Sequence, residues 1–183
     1  QDRVRARLAA AGLATKLVAV VAGGDQRRES VRCGLAALDD FTHVLVHDAA
    51  RPFLTPRLIR DTVAAVHRHG AATAALPVSD TLMQSRGDAD EASATLQRDG
   101  VWAVQTPQVF DLAVLRAAHE RAAAAGADAT DDGSLVLALG RRLELVPGNW
   151  WNIKVTRRED LRRAQCILKM RRILSEEAGE CSG

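Results

Sequence analysis

The stretch His43-Val44-Leu45-Val46-His47-Asp48-Ala49-Ala50-Arg51-Pro52 restricts this chain more than any other. Val44, Leu45 and Val46 form an apolar, β-branched-rich run with no polar alternation after His43. That is the pattern of a strand covered on both faces in a parallel sheet. Asp48 stands where the strand ends, and Pro52 cannot continue a ladder. In open α/β sheets, ligands gather at the carboxyl ends of strands. An aspartate there can hold a divalent cation through oxygen. An arginine close behind can grip phosphate with two parallel hydrogen bonds. Small Ala49 and Ala50 leave room for a substrate. The same pattern also suits an aspartate that only caps the following turn.

The flanking segments alternate between strand-like runs and helical spacing, which predicts an α/β fold. Val4, Leu8 and Leu13 suggest a helix from Asp2 to about Leu13. Leu17 to Val21 reads as a first strand, leading into Ala22-Gly23-Gly24-Asp25 and a helix from Gln26 to Leu38. A strand, a glycine turn and a helix N-terminus make a natural anion or nucleotide contact. The full dinucleotide fingerprint is not met, because no third spaced glycine or ribose-binding acid follows in register. Pro56 predicts the first turn of a helix to about His69, closed by Gly70. Ala71 to Val78 reads as a strand ending at Pro77.

Residues 82–100 are polar and turn-rich. They read as a β-arm, out near Leu82 and back near Leu96, or as a mobile surface loop. A two-stranded arm buries little of itself and often packs on another subunit. Val101 to Thr106 then reads as a strand ending at Thr106-Pro107-Gln108, and Leu112 to Ala125 as an Ala-rich helix. Thr130 is placed to cap a helix that buries Leu135, Val136 and Leu139. A strand from Leu143 to Val146, a strand-like segment from Trp150 to Thr156 and a helix from about Arg158 to Leu174 complete the pattern.

A chain of 183 residues is long enough for one domain with a sizeable core. A net charge of +2 gives no nucleic-acid-binding stripe. No apolar run approaches a membrane span and no signal peptide is visible, so no membrane partner is expected. Cys33, Cys166 and Cys181 lack metal-ligand spacing and read as reduced thiols of a cytoplasmic protein.

Six short motifs now line up in order. They are Gly23-Gly24-Asp25 with Ser30 and Gly34; His47-Asp48-Ala49-Ala50-Arg51-Pro52; Pro77-Val78-Ser79-Asp80-Thr81; Gln105-Thr106-Pro107-Gln108; Thr130-Asp131-Asp132; and Asn152-Ile153-Lys154-Val155-Thr156. The series resembles the 2-C-methyl-D-erythritol 4-phosphate cytidylyltransferases of the non-mevalonate isoprenoid pathway. The resemblance runs from about Leu17 to Leu168. It implies a Rossmann-like, three-layer nucleotidyltransferase domain with a mostly parallel sheet and a projecting β-arm at 82–100. It also implies a homodimer held partly by that arm, Mg2+ dependence, and a reaction that joins CTP to a methylerythritol phosphate with release of pyrophosphate.

Carried over by motif position, Gly24, Asp25 and Ser30 contact the cytidine nucleotide. Asp48, followed by Ala49, lies beside the metal and both substrates. Arg51, Thr106, Thr130 and Lys154 line the sugar-phosphate pocket. Thr81 and Arg98, at the two ends of the arm, reach the partner subunit's site. Arg98, Lys154 and Asp48 are the catalytic candidates. The chemistry agrees with them: two polyanions must meet, so the site needs positive charge and positioning more than a strong base.

Two departures from the family pattern stand out. The family opens with a strand and a glycine-rich loop that carries an arginine and a lysine around the triphosphate. Residues 1–183 are therefore expected to form a single nucleotidyltransferase domain lacking that strand and loop, and by themselves to bind CTP weakly and be inactive. Many relatives also carry Asp where Trp151 stands. A cytidylyltransferase for another polyol phosphate, such as ribitol 5-phosphate, and a non-catalytic nucleotide-binding or dimerisation module are the rival readings.

Overall fold

The computed structural model describes residues 1–39, 41–87, 90–126 and 129–180, with side chains described up to residue 173. Its elements, in chain order, are α1 (Asp2–Ala10), a 3-10 turn (Ala14–Lys16), α2 (Arg27–Ala36), β1 (His43–Val46), α3 (Pro56–His69), β2 (Ala71–Pro77), β3 (Leu82–Ser85), β4 (Ala92–Leu96), β5 (Trp102–Asp111), α4 (Leu112–Ala125), α5 (Asp132–Ala138), β6 (Glu144–Pro147) and α6 (Arg158–Glu180). Four strands form one sheet in the order β1-β5-β2-β6, and β3 and β4 form a separate hairpin. The fold is α/β with a mostly parallel core. β5 is the exception. It runs against β2, since Asp111 N–H bonds the Gly70 carbonyl at one end and Val78 N–H bonds the Val101 carbonyl at the other.

Local chemistry sets the best-defined boundaries. Pro56 fills a first-turn position where no N–H is needed, and the Thr55 hydroxyl accepts the Leu58 N–H at 3.2 Å. The buried stripe of α3 is Leu58, Thr62, Ala65 and Val66. Thr62 satisfies its hydroxyl on the Leu58 carbonyl at 2.7 Å. Gly70 then turns the chain into β2 with φ +74°, a left-handed conformation that costs glycine little. A Cβ there would also meet Asp111 Oδ2 at 2.5 Å.

The chain divides into two compact units. The first comprises residues 1–46, 66–72 and 109–144, and the second residues 47–65, 73–108 and 145–183. The core of the first unit is Leu35 of α2, Ala71, Phe110, Leu112, Leu115, Ala118 and Ala122 of α4, and Leu135 and Val136 of α5. Burying a side chain such as Phe110 or Leu115 contributes roughly 1.5–3 kcal/mol. In the second unit Phe53, Leu58, Val146 and Ile167 are buried, together with polar Thr73, Gln105, Thr106, Gln108 and Asn152. That share of buried polar groups is what distinguishes the second unit.

The hairpin at 82–100 is present. Leu82 pairs with Leu96, Met83 with Thr95 and Gln84 with Ala94, with a register shift between Gln84 and Ser85. β4 is exposed along its length, and Met83 and Leu96 present apolar side chains to solvent. Residues 88 and 89 in the hairpin, and Ala127 and Asp128 of the acidic turn, lie outside the described residues.

Several expectations are corrected. Leu17 to Val21 forms no strand, and Val18 is 77% exposed. An apolar run becomes a strand only where a neighbour offers ladder partners, and the ladder of the four-stranded sheet ends at β1. β1, the edge strand of that sheet, is also not covered on both faces: its residues are only partly buried and Leu45 is 36% exposed. β5 does not stop at Thr106 but continues through the cis Thr106–Pro107 bond to Asp111. Residues 150–156 form no ladder either; their backbone turns, with Asn152 N–H on the Asn149 carbonyl. Asp131, not Thr130, caps α5, its carboxylate accepting the Ser134 N–H at 2.9 Å. α6 runs past Leu174 to Glu180.

Candidate active site

β1 ends two residues before Asp48, and the turn that follows is held by a directed chain of hydrogen bonds. Asp48 N–H donates to Thr106 Oγ1 at 3.1 Å. Thr106 Oγ1 lies 2.9 Å from His47 Nδ1, and His47 Nε2 lies 2.9 Å from the Arg51 carbonyl. A carbonyl can only accept, so Nε2 carries the hydrogen, and the Thr106 hydroxyl closes the chain at Nδ1. The turn is thereby closed onto β5 before any ligand arrives.

The Asp48 side chain meets two cations. Its Oδ2 is 3.1 Å from Lys154 Nζ and 3.6 Å from Arg51 Nε. The second separation is an ion pair, too long for a hydrogen bond. Burial lowers the Arg51 guanidinium pKa from its ordinary value, while the Asp48 carboxylate pushes it back up. Arg51 Nη1 donates to the Asn152 carbonyl at 2.8 Å. Carboxylate, guanidinium, ammonium and hydroxyl thus converge at a strand end.

Lys154 lies between two anchors. Before it, Asn152 is fully buried and donates through Nδ2 to the Thr106 carbonyl at 2.7 Å and to Gln105 Oε1 at 3.2 Å. After it, Val155 N–H bonds the Ala50 carbonyl at 2.8 Å. Gln105 also exchanges two bonds with the Asn149 backbone, donating at 3.0 Å and accepting at 3.2 Å. Gly148 makes the close approach possible: a Cβ there would lie 2.5 Å from Gln105 Oε1. Sequence reasoning gave His47, Gln105 and Asn152 no role. The available signal was amides standing in apolar surroundings, Gln105 in β5 and Asn152 between Trp151 and Ile153.

The first unit holds a second group of candidates. Gly24 N–H donates to Ser30 Oγ at 3.2 Å, and Asp25 N–H to Glu29 Oε2 at 3.0 Å, so the glycine loop folds back on the first turn of α2. Thr130 is exposed just before α5. Nearby, Asp132 is buried and takes Arg27 Nη1 at 2.8 Å and His119 Nε2 at 2.9 Å. Thr81 and Arg98 flank the hairpin in the second unit, both exposed, with the Arg98 guanidinium donating to the Ser79 carbonyl. The structure therefore brings Asp48, Arg51, Thr106 and Lys154 together, with exposed Ala49 in the same turn. It groups Gly24, Asp25 and Ser30 separately.

Among the described residues, no group of three or more His, Cys, Asp or Glu side chains is placed to hold a metal by itself. Asp48 offers one carboxylate beside cationic groups. That suits a divalent cation that takes one or two carboxylates and fills its shell with substrate phosphates and water. Cys33 and Cys166 are free thiols, and Cys181 lies outside the described residues. Among the described residues no helix is long and apolar enough to cross a membrane.

An α/β scaffold that gathers a carboxylate and two cations at a strand end is suited to holding phosphate groups. The family model described as IspD, 2-C-methyl-D-erythritol 4-phosphate cytidylyltransferase, matches residues 2–170, and the chain belongs to that family. It is 47% identical over 154 residues to the bifunctional enzyme IspD/IspF of Desulforudis audaxviator, covering 84% of this chain and 39% of that one. It is 44% identical over 154 residues to the 2-C-methyl-D-erythritol 4-phosphate cytidylyltransferase of Halalkalibacterium halodurans, covering 84% of this chain and 67% of that one. The crystal structure of 2-C-methyl-D-erythritol 4-phosphate cytidylyltransferase from Thermus thermophilus superposes with a TM-score of 0.75 at 41% identity, covering 81% of this chain and 72% of that one. The chain spans about two fifths of the bifunctional relative and two thirds of the single-function one. The likeness first drawn from six motifs thus extends over residues 2–170 in sequence and over 81% of the chain in structure.

Proposed function

We propose that this chain forms the cytidylyltransferase domain that joins CTP to 2-C-methyl-D-erythritol 4-phosphate in non-mevalonate isoprenoid synthesis, acting in the cytoplasm as a homodimer with Mg2+. The observation that carries the reading is the Asp48–Arg51–Lys154 cluster at the end of β1, fixed from below by Asn152 and Gln105. A phosphate oxygen of the sugar phosphate attacks the α-phosphorus of CTP. A new P–O bond forms, the bond to the bridging oxygen breaks, and pyrophosphate leaves with that electron pair. The attacking phosphate is already ionised near neutral pH, so the protein's task is to bring two polyanions together.

In this reading Lys154, Arg51 and Arg98 supply the positive charge, and Lys154 and Arg98 act on the reacting phosphates. Thr106 and Thr130 orient the sugar phosphate, Gly24, Asp25 and Ser30 hold the cytidine nucleotide, and Ala49 leaves room beside Asp48. Thr81 and Arg98 serve the partner subunit's site from the hairpin. Asp48 would hold Mg2+, which supplies charge neutralisation at phosphate oxygens when bound.

The test is pyrophosphate release by the full-length protein with CTP, Mg2+ and a panel of polyol phosphates. Turnover with 2-C-methyl-D-erythritol 4-phosphate and little with ribitol 5-phosphate is expected. Preference for ribitol 5-phosphate would replace the proposed substrate, and CTP binding without turnover on any polyol phosphate would leave a nucleotide-binding module instead.

A further inference from the structure

The first unit contains a trio of polar side chains, two of them buried, for which the proposed chemistry has no use. Asp132 and His119 have side chains only 1% and 2% exposed. Asp132 Oδ2 takes Arg27 Nη1 at 2.8 Å, and Oδ1 takes His119 Nε2 at 2.9 Å. Burial pushes the Asp132 carboxyl pKa upward, yet the hydrogen bond from His119 and the charge of Arg27 hold it below the usual carboxylate range. The carboxylate is therefore charged, and His119 Nε2 donates to it.

The three residues sit at informative places. Arg27 opens α2, two residues after Asp25. Asp132 opens α5, two residues after Thr130. His119 lies on α4, which packs against both helices. The loop is tied to α2 through Ser30 and Glu29, so α2 can shift only if the loop shifts with it. A second tether runs from Arg28 Nη1 to the Ala122 carbonyl of α4 at 3.3 Å. A buried ion pair is a poor device for stability alone, since apolar residues of similar volume serve as well, but it enforces one arrangement where several would pack.

We propose that Arg27, Asp132 and His119 are positioning residues that hold the Gly24–Asp25 loop and the Thr130 turn at a fixed separation for the nucleotide and sugar phosphate. The inference rests on the cytidylyltransferase reading of those contacts. None of the three touches substrate; they act through the segments they anchor.

The test uses the full-length protein and separates KM from kcat. Arg27→Gln keeps the reach and removes the charge. It raises the KM for CTP by about tenfold, the scale of one charge-assisted hydrogen bond, with kcat changed by less than about threefold. Arg27→Lys recovers part of the loss. In an Asp132→Asn background Arg27→Gln adds nothing further, because its partner is already altered. Calorimetric CTP affinity gives the same comparison without turnover. A folded Arg27→Gln protein with wild-type KM and wild-type CTP affinity, showing only a lowered melting temperature, would overturn the proposal and leave a plain core ion pair. Absence of both turnover and CTP binding in the wild type would overturn the cytidylyltransferase reading, and the proposal with it. CTP binding without turnover would overturn only that reading and leave the affinity comparison decisive.

Discussion

The guanidinium of Arg51 donates to the backbone carbonyl of Asn152 at 2.8 Å, joining the turn after β1 to the segment that carries Lys154. Asn152 matters twice, because its side-chain amide also donates to Gln105 Oε1 and the Thr106 carbonyl. Asn152→Ala removes both donors from buried acceptors and is expected to cost about 1–3 kcal/mol of stability. kcat/KM should fall further than the lost folded fraction explains, because Lys154 loses the anchor before it. Urea unfolding, with kinetics at a temperature where the variant is fully folded, checks both. Asn152→Asp should be worse, since it sets a carboxylate against two acceptors.

Gly148→Ala tests the same clamp from the other side. The new Cβ would meet Gln105 Oε1 at 2.5 Å and the Ala75 carbonyl at 3.1 Å. Gln105 cannot swing away without releasing Asn149 and Asn152. Overpacking of this kind costs about 1–3 kcal/mol. Calorimetric melting should show the loss, and adding Gln105→Ala should relieve the clash so that the two changes are not additive.

These residues also show what the sequence could reveal. The structure brings Asp48, Arg51, Thr106 and Lys154 together; Asp48 and Arg51 drew attention by their place after a strand, Thr106 and Lys154 only through the family resemblance of their motifs. α3 was legible because Pro56 and Gly70 mark its ends, and α4 because its alanine-rich run favours a helix. Leu17–Val21 misled because an apolar run records burial preference and says nothing about ladder partners. Thr106-Pro107 misled in the opposite direction: proline argues against a central strand, yet β5 continues through it. Gln105, Asn152 and His119 were silent because an amide or imidazole shows its function only through partners far away in the chain.

The Asp132 trio makes a pH prediction for stability. The Asp132 carboxyl has its pKa lowered from an ordinary value of 3.8 in the folded chain. Above 3.8 the ionised pair stabilises the fold in full, and that contribution is lost as pH falls through the lower folded value. Acid titration of the wild type should therefore show a loss of stability below about pH 4 that Asp132→Asn lacks, with the variant already weaker at neutral pH. Equal acid slopes in denaturant midpoints for the two proteins would remove Asp132 from the account.

Asp48→Asn should abolish turnover with little effect on the fold. The amide takes the Asp48 counter-charge away from Lys154 and half-buried Arg51 and removes the carboxylate a divalent ion would use. A loss of at least about 100-fold in kcat is expected, the scale of removing one electrostatic contact from a reacting centre. Circular dichroism should be unchanged, and added Mg2+ should not restore the rate. Near-normal activity at ordinary Mg2+ would take Asp48 out of the site.

The hairpin gives the test with the clearest geometry. Among the described residues β3 and β4 pair only with each other, and Arg98 follows β4 with its guanidinium on the Ser79 carbonyl, an exposed contact that a phosphate can replace. If Arg98 serves the partner's site, Arg98→Ala should depress turnover without dissociating the dimer. One positioned charge-assisted contact is worth roughly 1.5–3 kcal/mol, or about one to two decades in rate when it acts in the transition state. Arg98→Ala subunits are mixed with Asp48→Asn subunits, each deficient alone. Action in trans places both lesions in one site of the mixed dimer and leaves the other site intact, so activity rises on mixing. Action in cis damages each site once, and no activity returns. Heterodimers carrying two distinguishable tags, isolated and found no more active than the parents, would assign Arg98 to its own subunit.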